Sequence, residues 1–89
     1  MSHYGRAVLT LSGRPGFLLL ARLEGRGASI RVTVELNGAP VRTARRRTLT
    51  SALRWALRLA DRLLEVFGQR GEVISLEHAF RQASAQLAA

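Results

Sequence analysis

One change of hydrophobic spacing, close to Thr48, constrains this chain more than any other feature. Before it, apolar residues recur at every second position. After it, they recur at every third or fourth. Alternation of period two marks strands with one buried face, and a period near 3.6 marks amphipathic helices. A chain that makes strands first and helices afterwards belongs to the α+β class. The spacing predicts a four-stranded antiparallel meander followed by two helices, β-β-β-β-α-α. Strands are expected at about 4–11, 17–24, 30–36 and 39–45, and helices at about 50–67 and 76–87.

The inward set of the first three strands is Ala7, Leu9 and Leu11, then Phe17, Leu19, Ala21 and Leu23, then Ile30, Val32, Val34 and Leu36. Turn clusters "SGRPG" (12–16) and "GRGAS" (25–29) separate them. Counting back from those loops sets Leu11 opposite Phe17, Leu9 opposite Leu19, and Leu23 near Ile30, so that apolar residues meet apolar residues. Asn37-Gly38 is the strongest local signal, because a two-residue type I′ hairpin needs positive φ at both positions. It returns the chain with Leu36 opposite Ala39 and Val34 opposite Val41. Pro40 has no N–H to give a ladder, which makes the fourth strand an edge.

In the second half, Thr48 and Thr50 are N-cap candidates and Gly68 is a stop signal. Leu49, Ala52, Leu53, Ala56, Ala60, Leu63, Leu64 and Phe67 make the apolar face of the first helix. Trp55, Leu59 and Val66 widen it beyond a ~100° stripe. Arg54, Arg58, Asp61, Arg62 and Glu65 form the polar stripe, with Arg58 and Arg62 spaced to pair with Asp61 and Glu65. Ser75 caps the last helix, Ile74 staples it, and Leu76, Ala79, Phe80, Ala83 and Leu87 form its buried stripe.

With 89 residues, the chain is one domain that buries roughly 60–65% of its unfolded surface. It has no cysteine, which excludes disulfides, thiolate metal sites and a cysteine nucleophile. No apolar run approaches the ~20 residues of a membrane span, and residues 1–6 lack a signal pattern. A cytoplasmic protein with no membrane contact is expected.

The net charge is +8, and every one of the 14 basic residues is arginine. Residues 1–47 hold nine arginines and two glutamates; the remainder holds five arginines and four acids. Such asymmetry directs the first half toward an anionic partner. Strand parity puts Arg6, Arg22, Arg31 and Arg42 on the outward face, with Val8, Thr10, Leu18, Leu20, Glu24, Thr33, Glu35 and Ala44. The run Arg45, Arg46 and Arg47 stands at its corner. Two glutamates cannot neutralise so many arginines. Guanidinium forks fit phosphate oxygens, and duplex DNA presents a charge per ~1.7 Å. These residues are the expected nucleic-acid contacts. Only Tyr4 is an outward aromatic, which favours backbone contact over base stacking.

Val8, Leu18 and Leu20 together make an outward apolar patch, a mark of association. A homodimer is expected, through that patch or through Trp55, Leu59 and Val66. No enzyme is expected. His3 lies near the N terminus and His78 in the first turn of the last helix. Carboxylates that act as an acid–base pair need unlike environments, and an arginine-laced stripe offers one environment. No His, Asp and Glu set has metal-ligand spacing, and no cofactor is implied.

Four antiparallel strands followed by a helix, over about residues 4–68, resemble the Whirly and PUR-type nucleic-acid-binding units in topology. The resemblance implies single-strand binding and assembly through paired sheet-and-helix units. "RRTLTSALRWALRLA" (46–60) is similar to the helix opening of small HicB-type antitoxin domains, which implies a protein partner. The leading expectation is therefore a small basic nucleic-acid-binding protein, for DNA or RNA. The alternative is an interaction module, antitoxin-like or a phage-type regulator, that binds an acidic protein.

Overall fold

The computed structural model describes residues 4–88, apart from the side chains of Tyr4 and Arg26. The expectations placed on His3 and on the Tyr4 ring fall outside the described residues. The order is β1 (Tyr4–Arg14), β2 (Phe17–Arg26), β3 (Ser29–Leu36), β4 (Ala39–Arg46), α1 (Leu49–Val66) and α2 (Leu76–Leu87). The strands form one antiparallel sheet in the order β1-β2-β3-β4, as the alternating pattern requires.

Both helices lie on one face of the sheet. Helix α1 packs on β3 and β4, and α2 packs on β1. Leu9, Leu11, Leu19, Leu23, Val32, Val34 and Leu53 are the largest fully buried side chains. Burial of a leucine-sized side chain stabilises by about 1.5–3 kcal/mol, so this layer carries the fold. Leu57, which the helical face was read without, is buried as well. Phe67 and Phe80, expected inside, are 54% and 42% exposed. Phe67 still touches the core, its ring 5.7 Å from that of Phe17.

Asn37 fixes the turn end of the sheet. It adopts φ 51° and Gly38 φ 85°, as a type I′ hairpin demands. Its side-chain oxygen accepts from Leu18 N–H at 2.8 Å, and its amide donates to the Gly16 carbonyl at 3.0 Å. One side chain thereby ties the β3–β4 turn to the β1–β2 turn.

The register differs from the expected one in all three hairpins. The first two turns are tighter than the loops suggested: Arg14 pairs with Phe17, and Arg26 with Ser29. Leu9 therefore faces Ala21 rather than Leu19, Leu11 does not face Phe17, and Leu23 faces Val32 rather than Ile30. A bulge between Thr10 and Ser12 reconciles the tighter turn with the buried face: Leu11 is the extra residue, and it and Ser12 are both buried.

A second bulge matters more for function. Leu36 pairs with Ala39 as expected, but Val34 pairs with Arg42, not with Val41. Val41 is the extra residue. Beyond it the parity of β4 is reversed relative to a count from the turn. Ala44 comes opposite Val32 and joins the core, while Thr43 comes opposite Thr33, with their hydroxyls 2.9 Å apart.

The two sheet edges differ. On β1, Gln86 of α2 accepts from Val8 N–H at 2.8 Å and donates to the Val8 carbonyl at 3.0 Å. The Ile74 N–H donates to the Leu11 carbonyl. Helix α2 also comes close at Gly5, where a Cβ would stand 2.9 Å from the Leu87 carbonyl oxygen. No such cover lies over β4 among the described residues.

Candidate nucleic-acid interface

Arginines occupy two surfaces. The outer face of the sheet carries a cross-strand row of Arg6, Glu24, Arg31 and Arg45. Arg6 lies 3.8 Å from Glu24, and Arg22, one row on, donates from Nε diagonally to Glu35 Oε2 at 2.5 Å. The side chain of Glu35 is only 11% exposed, so its pairing with Arg22 is the better-defined of the two. Both glutamates of this face are thus engaged, and Arg31 stands directly opposite Arg45. Like charges opposed across strands repel.

Arg42 does not belong to that face. The Val41 bulge turns it, with Ala44 and Arg46, toward the helices, because paired residues share a side and Val34, Val32 and Ile30 face inward. The expectation that Arg42 and Ala44 point outward with Arg6, Arg22 and Arg31 is corrected accordingly. Arg42 instead meets α1.

Between β4 and α1 runs a furrow of three connected clefts. The first, about 560 Å³, is lined by Ser29, Arg45, Arg46, Arg47, Thr48 and Ser51. The second, about 340 Å³, shares Arg46, Thr48 and Ser51 with it and adds Thr50, Arg54, Trp55 and Arg58. The third, about 300 Å³, shares Trp55 and Arg58 and adds Arg42, Leu59 and Arg62. No carboxylate lines any of the three. Among the described residues, none of the arginines that line them makes an ion pair. The pairs expected from Arg58 and Arg62 to Asp61 and Glu65 do not form.

Local sequence explains the shape. Thr48 caps α1, accepting from Ser51 N–H at 3.1 Å, which fixes where the helix starts relative to the arginine run. The first turn of α1 has no acidic residue. Arg45, Arg46 and Arg47 therefore crowd the positive end of the helix dipole, an unfavourable arrangement that an anion relieves. Arg54, Arg58 and Arg62 recur at i, i+4 and i+8, so they stack along one side of the helix. Trp55 and Leu59, both half-buried, stand beside them, with the Arg46 guanidinium 6.0 Å from the indole centroid.

The apolar residues expected at a dimer contact are divided between two surfaces. Val8 and Leu18 are exposed on the outer sheet face, with Leu20 half-buried between them and Glu35. Trp55 and Leu59 line the furrow, and Val66, at the end of α1, is 71% exposed. His78 is exposed on α2 beside Gln82, and the described residues hold no cluster of metal-ligating side chains. No helix among them is long and apolar enough to cross a membrane.

Sequence reasoning placed Arg54, Arg58 and Arg62 on a solvated stripe and so missed their part in the furrow. Their helical spacing beside Trp55 was visible; the turning of Arg42 and Arg46 to meet them was not. No protein-family model matches the chain, and no curated protein or solved structure matches it. Its likeness to Whirly and PUR-type units consists of the order of strands and helix alone.

Proposed function

We propose that this is a non-catalytic nucleic-acid-binding protein that holds phosphates with the arginines gathered where β4 meets α1. One observation carries the reading: Arg42, Arg45, Arg46, Arg47, Arg54, Arg58 and Arg62 line a single furrow with no carboxylate to neutralise them. Arginine presents a planar fork of donors that matches phosphate oxygens. The repulsion between Arg31 and Arg45, and that between the arginine run and the α1 terminus, favours the bound state further, because an anion screens both. Arg6 and Arg22, held by Glu24 and Glu35, contribute less.

A salt series tests this. The logarithm of the affinity for a mixed-sequence oligonucleotide falls linearly with the logarithm of salt concentration, with a slope near −0.7 per phosphate on a single strand and −0.9 on a duplex. If all seven furrow arginines engage phosphate, the slope reaches about −5 to −6. Absence of binding to either form at low salt rejects the reading and favours the alternative, an acidic protein partner.

The Val8, Leu18 and Leu20 patch supports a second role for the outer face, contact with another copy of the chain. Sedimentation at micromolar concentration tests it; a monomer throughout rejects the homodimer.

A further inference from the structure

We propose that the furrow between β4 and α1 takes single-stranded nucleic acid, with one base against Trp55 and the sugar–phosphate backbone on the arginines of both walls. This rests on the nucleic-acid reading above and goes further by choosing the strand state and the ring that a base meets.

Three observations favour one strand over two. First, the furrow is made of small clefts. Its segments of about 300–560 Å³ match the range of about 300–1,000 Å³ typical of sites for small molecules, the scale of successive nucleotides. Second, the crest of α1 has mixed sign. Asp61 and Glu65 are exposed there among the arginines, so a duplex laid across the helix meets carboxylates, whereas a strand in the furrow meets arginines alone. Third, Trp55 sits where the second and third clefts join, flanked by Arg46 and Arg58. A groove that tracks the backbone with cations and offers an aromatic ring to a base is the arrangement single-strand binders use, and the Arg46 guanidinium over the ring adds a cation–π contribution. The outer sheet face has the charge but lacks such a ring among the described side chains.

Trp55 is the only tryptophan in the chain, so its own fluorescence reports on the furrow. Short single strands of thymidine or uridine nucleotides, a mixed duplex and inorganic polyphosphate are titrated separately, with binding followed in parallel by anisotropy. Quenching of Trp55 by the single strands and not by polyphosphate is expected. So is affinity for a single strand about tenfold or more above that for the duplex. The triple variant Arg42→Gln, Arg58→Gln, Arg62→Gln is expected to bind single strands about tenfold more weakly, with its circular dichroism unchanged. The pair Arg6→Gln, Arg31→Gln changes affinity by less than about threefold. Equal results with the thymidine and uridine strands support the inference, as does a preference for either. Duplex binding as tight as single-strand binding overturns it, as does binding with unquenched Trp55, or loss in the Arg6, Arg31 pair instead of the furrow triple. The first two leave the furrow reading standing; the third moves the phosphate contacts to the sheet face and leaves only nucleic-acid binding itself. Failure of every nucleic acid to bind overturns both.

Discussion

Strand β1 is sealed along its outer edge: Gln86 satisfies both backbone groups of Val8, Ile74 takes the Leu11 carbonyl, and Leu87 rests on Gly5. Strand β4, at the opposite edge, has no such cover among the described residues. It instead carries Pro40, an extra residue at Val41 and a series of arginines. Both are recognised ways of keeping an edge strand from pairing with another chain. They cost the molecule differently. Sealing β1 uses up backbone groups and apolar surface and leaves a flank where Arg81 is held by Glu77 at 2.6 Å and Arg6 lies 3.8 Å from Glu24. Guarding β4 with charge leaves those charges free. The comparison teaches that the cations available to a ligand are those whose structural task is electrostatic repulsion rather than a contact.

The difference can be broken at several points. The largest effect is expected from Gly5→Ala on the sealed flank. The added methyl would stand 2.9 Å from the Leu87 carbonyl oxygen and 3.0 Å from its Cδ2, so α2 has to move. A loss of about 2–3 kcal/mol, the upper range for overpacking, should be measurable by urea unfolding. Next, Arg58→Gln with Arg62→Gln on the open flank should reduce the salt slope of single-strand binding by about 1.4, while Arg81→Gln on α2 leaves it unchanged. Equal effects from the two would erase the distinction between flanks. Gln86→Ala removes two hydrogen bonds from exposed backbone that water can replace. About 1 kcal/mol is expected, read as a Tm lower by roughly 4–8 °C, together with a rise in self-association as β1 becomes a free edge. The smallest effect belongs to Arg6→Ala: its side chain is 86% exposed and 3.8 Å from Glu24, and pairs of that kind contribute little, so thermal unfolding should not resolve the change.

Much of this architecture was legible in the spacing of apolar residues. Strand and helix limits agree within a few residues, and the Asn37-Gly38 turn, the Thr48 and Ser75 caps, and Ala79 and Ala83 in the core stand where local chemistry puts them. The bulges were not legible, for a physical reason. "LTLS" at 9–12 and "PVR" at 40–42 accommodate either register, since alternation says which side chains are apolar and not where a ladder skips. What selects the skip is tertiary: Ala44 fits beneath α1, and Thr43 meets Thr33. Because the Val41 skip decides where Arg42 and Arg46 point, the furrow was hidden although every one of its arginines was visible. Phe67 and Phe80 failed in the other direction: helical position marked them as core, but Phe67 is the C-cap of α1, beyond its last buried residue Leu64, and Phe80 lies to one side of the buried Ala79 and Ala83 of α2.

Val41 has a consequence for how the chain tolerates changes of length. Losing a residue from the middle of a strand ordinarily inverts every side chain beyond the gap. Here Pro40 pairs with Glu35 and Arg42 with Val34, so the ladder on both sides already runs as though Val41 were missing. A chain with Val41 deleted would keep Arg42, Ala44 and Arg46 against α1 and Thr43 beside Thr33, with the edge strand straightened. The other bulge offers no such freedom, because Leu11 is fully buried and its carbonyl is taken by Ile74. Of the two spare residues in this sheet, one belongs to the core and the other is a point of slack, where the molecule can shorten by one codon without moving a single charge.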